Sequence, residues 1–149
     1  MLAALEFLKT VREADTARVG VMGRSLGGIV SVFAASRSPA FRVVVDQAGA
    51  ALTWNDSPAI QKAMKEAAGL IRVPLLAMDA KNDRTTQAVE AVVREVQKHG
   101  TGAKLILYPA YRPPEPLSPL IAPGHAIFAQ PGAHLWQADV LQFLNENLR

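Results

Sequence analysis

The chain places a serine between glycines in Gly23-Arg24-Ser25-Leu26-Gly27-Gly28. A serine hydroxyl is a poor nucleophile unless it is held clear of its own backbone and within reach of a base. The preceding Arg18-Val19-Gly20-Val21-Met22 reads as a buried strand, and Leu26, Ile29, Val30 and Phe33 recur at i, i+3, i+4 and i+7, so a helix starts at once after the serine. Strand, sharp turn and helix together lift Ser25 above a sheet and force strained backbone angles on it. Gly23 and Gly27 flank it because side chains there would collide across the turn. The Leu26 N–H opens the helix and points at whatever Ser25 attacks, with the positive end of the helix dipole behind it. That makes it the candidate oxyanion donor.

Such a serine needs a base that titrates near neutrality, and a carboxylate to fix and charge-stabilise that base. The chain has three histidines. His99 falls in the last turn of a helical segment and reads as a solvated helix-end residue. His134 opens the final helix and is the second candidate for the base. His125 follows Gly124 and precedes Ala126-Ile127-Phe128, a small residue and then an apolar anchor, which suits a loop that aims an imidazole inward. It is the favoured base. For the acid, Asp83 is favoured, within Asp79-Ala80-Lys81-Asn82-Asp83-Arg84. Asp79 comes second, nearer a strand end where it could shape the turn, and Asp46 reads as a capping or pairing residue.

Positioning these groups requires a scaffold, and the chain supplies alternating strands and helices. The pattern predicts a helix over Leu2 to Arg12, a strand at Val19 to Met22, a helix to Arg37 stopped by Ser38-Pro39, and a strand at Val43 to Gln47. Ser57 with Pro58 predicts a capped helix start, running to Ala68 before Gly69. A strand at Val73 to Met78 follows, and Asp79 to Arg84 reads as a polar loop. A helix with Val89, Val92, Val93 and Val96 on one face begins at Thr85 or Thr86 and closes at His99-Gly100. The last strand is Lys104 to Tyr108. Pro109 to Gly124, with five further prolines, reads as a long loop, and His134 to Asn147 as the final helix. Apolar strands separated by amphipathic helices imply an α/β fold, with a mostly parallel sheet of about four strands covered on both faces. Ligands of such sheets bind beyond the carboxyl ends of the strands, where Ser25, Asp83 and His125 each fall.

The composition narrows the function. At 149 residues the chain suits one domain with a real core. The net charge of +3 is scattered, with no basic cluster interleaved with aromatics, so nucleic acid is not the expected partner. Cysteine is absent, which excludes disulfides and thiolate metal sites. No metal or organic cofactor is suggested. No stretch approaches membrane-spanning length or the apolar core of a signal peptide, and the expected location is cytoplasmic.

The order Ser25, Asp83, His125 resembles the nucleophile–acid–histidine order of the α/β-hydrolase fold. Gly23 to Gly28 resembles its nucleophile elbow, Asp79 to Asp83 its acid loop, and Gly124-His125-Ala126-Ile127-Phe128 the histidine loop of its dienelactone hydrolase and prolyl-oligopeptidase-like branch. The resemblance spans nearly the whole chain but only the C-terminal half of that fold. It implies a single catalytic domain over residues 1–149 that lacks the usual N-terminal strands, with the Val19 strand as the elbow strand. It further implies a serine hydrolase of small carboxylic esters, with Ser25 as nucleophile, His125 as base, Asp83 as its orienter and Leu26 N–H in the oxyanion hole. A lactone hydrolase or peptidase using the same triad, and a non-catalytic fold remnant acting as an assembly module, are the alternatives. The family's second oxyanion donor lies in the missing half, so the expectation is slow turnover, or a donor from the Ala48–Asn55 loop or a partner chain. The exposed apolar edge of the Val19 strand predicts a homodimer.

Overall fold

Val43, Val44, Val45 and Leu75 to Met78 have no exposed surface, as strands covered on both faces must be. They lie at the centre of the computed structural model, which describes residues 2–115 and 118–148. Its elements run α1 (Leu2–Leu8), β1 (Val19–Arg24), α2 (Leu26–Arg37), β2 (Phe41–Gln47), α3 (Pro58–Ala68), β3 (Leu75–Ala80), α4 (Gln87–Gln97), β4 (Ala103–Tyr108) and α5 (Ala133–Asn147). The four strands pair in the order β1-β2-β3-β4, every pair parallel. This is the expected α/β architecture.

Sequential order with crossovers of one hand sends every crossover helix to one face. Val32 of α2, Met64 of α3 and Val92 of α4 accordingly share one core with Val44, Leu75 and Ala77. The opposite face is covered by α5, whose Val140 and Phe143 pack on Val43, Val45, Leu76 and Met78. The alternation of core assignment along β2 and β3 is the two-residue period of a strand.

Local chemistry sets most boundaries. Ser57 Oγ accepts from the Ile60 N–H at 3.3 Å and Pro58 opens α3, as its sequence requires. Two expectations are corrected. The first helix ends at Leu8 rather than Arg12: the Thr10 N–H and hydroxyl both turn back on the Phe7 carbonyl, at 2.9 and 2.7 Å, and tighten the chain out of the helix. The third strand is Leu75–Ala80 rather than Val73 to Met78, because Asp79 and Ala80 pair with Leu107 and Tyr108 of β4. Asp79 is therefore a buried strand residue and not part of the polar loop.

Among the described residues the outer edge of β1 has no strand beside it, and Met22 there is 41% exposed. No described helix is long and apolar enough to cross a membrane.

Candidate active site

Ser25 sits between β1 and α2 with φ 55° and ψ −116°. A non-glycine residue in that region costs of the order of 1–3 kcal/mol, held by the surrounding packing. The hydroxyl makes no capping hydrogen bond to α2, so it is not consumed by the fold. The glycines are necessary for reasons only partly expected. A side chain on Gly23 would overlap the backbone of Gly27, whereas one on Gly27 itself would meet nothing. The second crowded glycine is Gly28, where a Cβ would overlap Asp46 Oδ1. The turn is tight because β1 and the start of α2 approach backbone to backbone at Gly23 and Gly27. The Leu26 N–H heads the first turn of α2, where helix geometry provides no intrahelical acceptor.

The three loops are tied by a relay of backbone hydrogen bonds along the carboxyl edge of the sheet. The Ser25 N–H donates to the Gln47 carbonyl at 2.8 Å, and the Ala48 N–H to Met78 at 2.8 Å. Asp83 N–H closes on Ala80 at 2.9 Å, Lys81 N–H on Tyr108 at 3.0 Å, and Gly124 N–H on Asn82 at 3.3 Å. Elbow, acid loop and histidine turn thus stand on one edge. Ser25 follows β1 and Asp83 follows β3, so about 10 Å of sheet separates their strands, a gap an imidazole between them must bridge.

His125 is 5% exposed and lies in a short 3-10 helix over Pro123–Phe128 rather than in an irregular loop. Its Nδ1 is 2.7 Å from Asp83 Oδ2, and the Asp83 side chain has no exposed surface. The Arg84 N–H donates to Asp83 Oδ1 at 2.6 Å. With Nδ1 facing a carboxylate, the neutral ring carries its proton there and leaves Nε2 as the basic nitrogen. No hydrogen bond joins Ser25 to His125 among the described residues; contacts of this kind often tighten only when substrate is bound. The other candidates stand apart from this pair. His99 and His134 are both exposed, at the end of α4 and the start of α5.

The apolar anchor behind His125 works as its sequence suggested. Ile127 and Phe128 are buried, Phe128 packs between Tyr108 and Trp136, and the Trp136 indole N–H donates to the Ile127 carbonyl at 2.9 Å. Asn82 was missed in the sequence. Its side chain donates to the Tyr111 carbonyl and accepts from the Tyr111 N–H, both at 2.8 Å, so it fastens the start of the proline-rich stretch to the acid loop. Its place beside the acid was the only signal, and polar loops are rich in asparagine for many reasons.

Several N–H groups of the Ala48–Asn55 loop are engaged within the fold. Those of Ala48, Ala51, Thr53 and Trp54 go to backbone carbonyls, and that of Gly49 goes to Asp46 Oδ1 at 2.9 Å. Ala48 and Ala50 hold positive φ values of 53° and 65° to make these closures.

Two further carboxyls lie under the site. Burial pushes Asp46 up to about 7, against the pull of the Gly49 N–H. Burial, and then the charge and hydrogen bonding of Asp83, push Asp79 up to about 9. Each folded carboxyl therefore keeps a proton that the unfolded chain gives up at lower pH. Stability should fall as pH rises from about 4 through 7 for Asp46 and on to 9 for Asp79. The slope should reach at most about 1.4 kcal/mol per pH unit for each. Urea unfolding at pH 5 and pH 8 should find the protein weaker at pH 8. Asp46→Asn should narrow the gap, and a gap of the opposite sign would refute the assignment.

The dienelactone hydrolase family model matches residues 1–112, a span that holds Ser25 and Asp83 and stops short of His125. No curated protein matches the chain. Among solved structures, the acylaminoacyl peptidase of Pyrococcus horikoshii superposes with a TM-score of 0.70 at 17% identity, over 96% of this chain and 26% of that one. The dienelactone hydrolase of Anabaena variabilis gives 0.68 at 22%, over 99% of this chain and 58% of that one. An esterase of Pyrococcus furiosus gives 0.69 at 16%, over 99% and 60%. The chain thus spans about a quarter of the peptidase's length and about three-fifths of the other two.

Proposed function

Because the chain belongs to the dienelactone hydrolase family, we propose that it is a serine hydrolase cleaving small carboxylic esters through an acyl-enzyme. The observation that carries this reading is the buried Asp83–His125 pair at 2.7 Å, on the same sheet edge as a serine held at φ 55°. Ser25 Oγ attacks the acyl carbon as its proton passes to His125 Nε2. The charge on the former carbonyl oxygen falls at the Leu26 N–H and the head of α2. Collapse breaks the C–O bond to the alcohol, which leaves with the proton from His125. Water then attacks the acyl-enzyme by the same route, giving its proton to His125 and releasing acid and free Ser25. Asp83 keeps the ring in the tautomer that leaves Nε2 basic throughout. Leu26 is 71% exposed beside the nucleophile, an open approach that suits small substrates.

A serine-reactive phosphonate tests this directly. Stoichiometric labelling at Ser25 is expected, and no labelling would end the proposal. The lactonase and peptidase readings use the same groups, and relative rates on a lactone, a short ester and an amide separate them.

We infer also that the open edge of β1 pairs with a second copy of the chain. Met22 at 41% and, on α1, Phe7 at 66% and Leu2 at 43% exposure leave an apolar border beside unpaired strand backbone. Edges of that kind are covered in stable proteins. A dimer in sedimentation that Met22→Lys converts to monomer is the expected result; a monomer at every concentration would overturn it.

A further inference from the structure

Asp79 is fully buried at the end of β3, directly under the acid loop. Its Oδ1 accepts from the Ala80 N–H at 2.8 Å, and its Oδ2 is buried with no donor facing it. The Asp83 carboxyl stands within hydrogen-bonding reach of it. Two carboxylates have only acceptors to offer one another, so they can share a hydrogen bond only across a proton. Asp79 is the better placed of the two to donate, because Asp83 already faces the Arg84 N–H at 2.6 Å and, in the tautomer that leaves Nε2 basic, the N–H of His125 Nδ1 at 2.7 Å, whereas Asp79 Oδ2 faces no donor.

We propose that Asp79 is a positioning residue: a carboxylic acid that keeps its proton on Oδ2 and donates it to Asp83, holding that carboxylate against His125. This rests on the reading of Asp83 and His125 as the orienter and base of a hydrolase. With the proton in place, Asp83 accepts from three directions, from Arg84 N–H, His125 Nδ1 and Asp79. Each bond constrains the carboxylate that fixes the imidazole. The pair then carries one negative charge rather than two, so nothing repels Asp83 from its place.

The charged surroundings of Asp79 all favour its neutral form. Asp83 faces it from the acid loop and Asp46 from β2. Among the described residues no Lys, Arg or His pairs with it; on β4 the Tyr108 hydroxyl is committed to Asp139 at 2.6 Å, and on α4 Glu90 accepts from Thr86 at 2.7 Å. Once Asp79 ionises, near pH 9, two anions share one buried corner and Asp83 must give way.

Carboxyl ¹³C resonances of the wild-type protein, labelled at aspartate, test the proton without reference to catalysis. The expected result is an Asp79 carboxyl still protonated at pH 7, absent from the spectrum of Asp79→Asn, whose titration near pH 9 moves the ring resonances of His125. An Asp79 ionised at pH 7, or one whose titration leaves the His125 ring unmoved, overturns the proposal. In kinetics, ester hydrolysis by the wild type should fall above about pH 9. Asp79→Asn, neutral at every pH and still able to donate, should keep the rate at pH 7 within about threefold and lose the alkaline fall. An unchanged alkaline fall in the variant also overturns the proposal. If the wild type neither hydrolyses esters nor takes the phosphonate, the hydrolase reading fails, while the resonance titration still decides whether Asp79 lends Asp83 a proton.

Discussion

Ser25→Ala is expected to abolish ester hydrolysis and phosphonate labelling, lowering turnover by roughly 10⁴–10⁶-fold. The size follows from the covalent route: without Oγ there is no acyl-enzyme, and what remains is whatever the Leu26 N–H and simple binding give to a water attack. The fold should be unaffected. The Ser25 hydroxyl caps nothing, and alanine keeps the same single Cβ on the backbone that serine has at φ 55°; alanines already stand at positive φ in this chain, at positions 48 and 50. A change in unfolding free energy within about 1 kcal/mol is expected, typical of a site where no packing or hydrogen bond is lost. Loss of activity with an intact melting curve therefore reads on the chemistry. Full activity in the variant would remove Ser25 from the mechanism.

Gly124→Ala is expected to be nearly as damaging, though it adds one methyl group and touches no reacting atom. A Cβ at position 124 would overlap the Asp83 amide nitrogen and lie 2.6 Å from the Asn82 carbonyl carbon. Both are backbone and cannot swing aside. The histidine turn and acid loop must separate, stretching the Gly124 N–H bond to Asn82 at 3.3 Å and the His125–Asp83 bond at 2.7 Å. An imidazole that loses its orienting carboxylate leaves the serine with a base in the wrong tautomer, a loss approaching about 10⁴ where that bond alone is removed. A fall of roughly 10²–10⁴ in kcat is expected, with little change in KM, because the substitution lies behind the imidazole. Its exchangeable Nδ1 proton should also disappear from the far-downfield NMR spectrum. Unaltered turnover would mean that the two loops are not held together by this close approach.

Much of the site can be read from short stretches because it depends on local chemistry. A glycine-flanked serine between an apolar run and a helical pattern prescribes an elbow, whatever lies elsewhere. Ser57-Pro58 prescribes the start of α3 in the same way. The crowded glycine at 28 could not be read so. Its need arises from Asp46, on a strand eighteen residues further along the chain, and is set by how closely α2 lies on β2. The limit of β3 is hidden from the sequence for a related reason. Asp79 looks like a loop residue by composition, and only pairing with Leu107 of β4 makes it strand.

From its sequence alone the chain is committed to parallel strands under helices, to a nucleophile-style turn at Ser25, and to Asp83 and His125 beyond strand ends. Those features follow from hydropathy, backbone restriction and side-chain type, all of which act over a few residues. Folding alone decided that His125 and Asp83 bury their contact, that Asn82 clamps Tyr111, and that Asp79 is buried at the end of β3 with no donor facing its Oδ2. These depend on the register of β3 against its neighbours and on which loops the sheet edge gathers. Burial then sets the proton affinity of each carboxyl, and burial belongs to the assembled structure rather than to any residue in it.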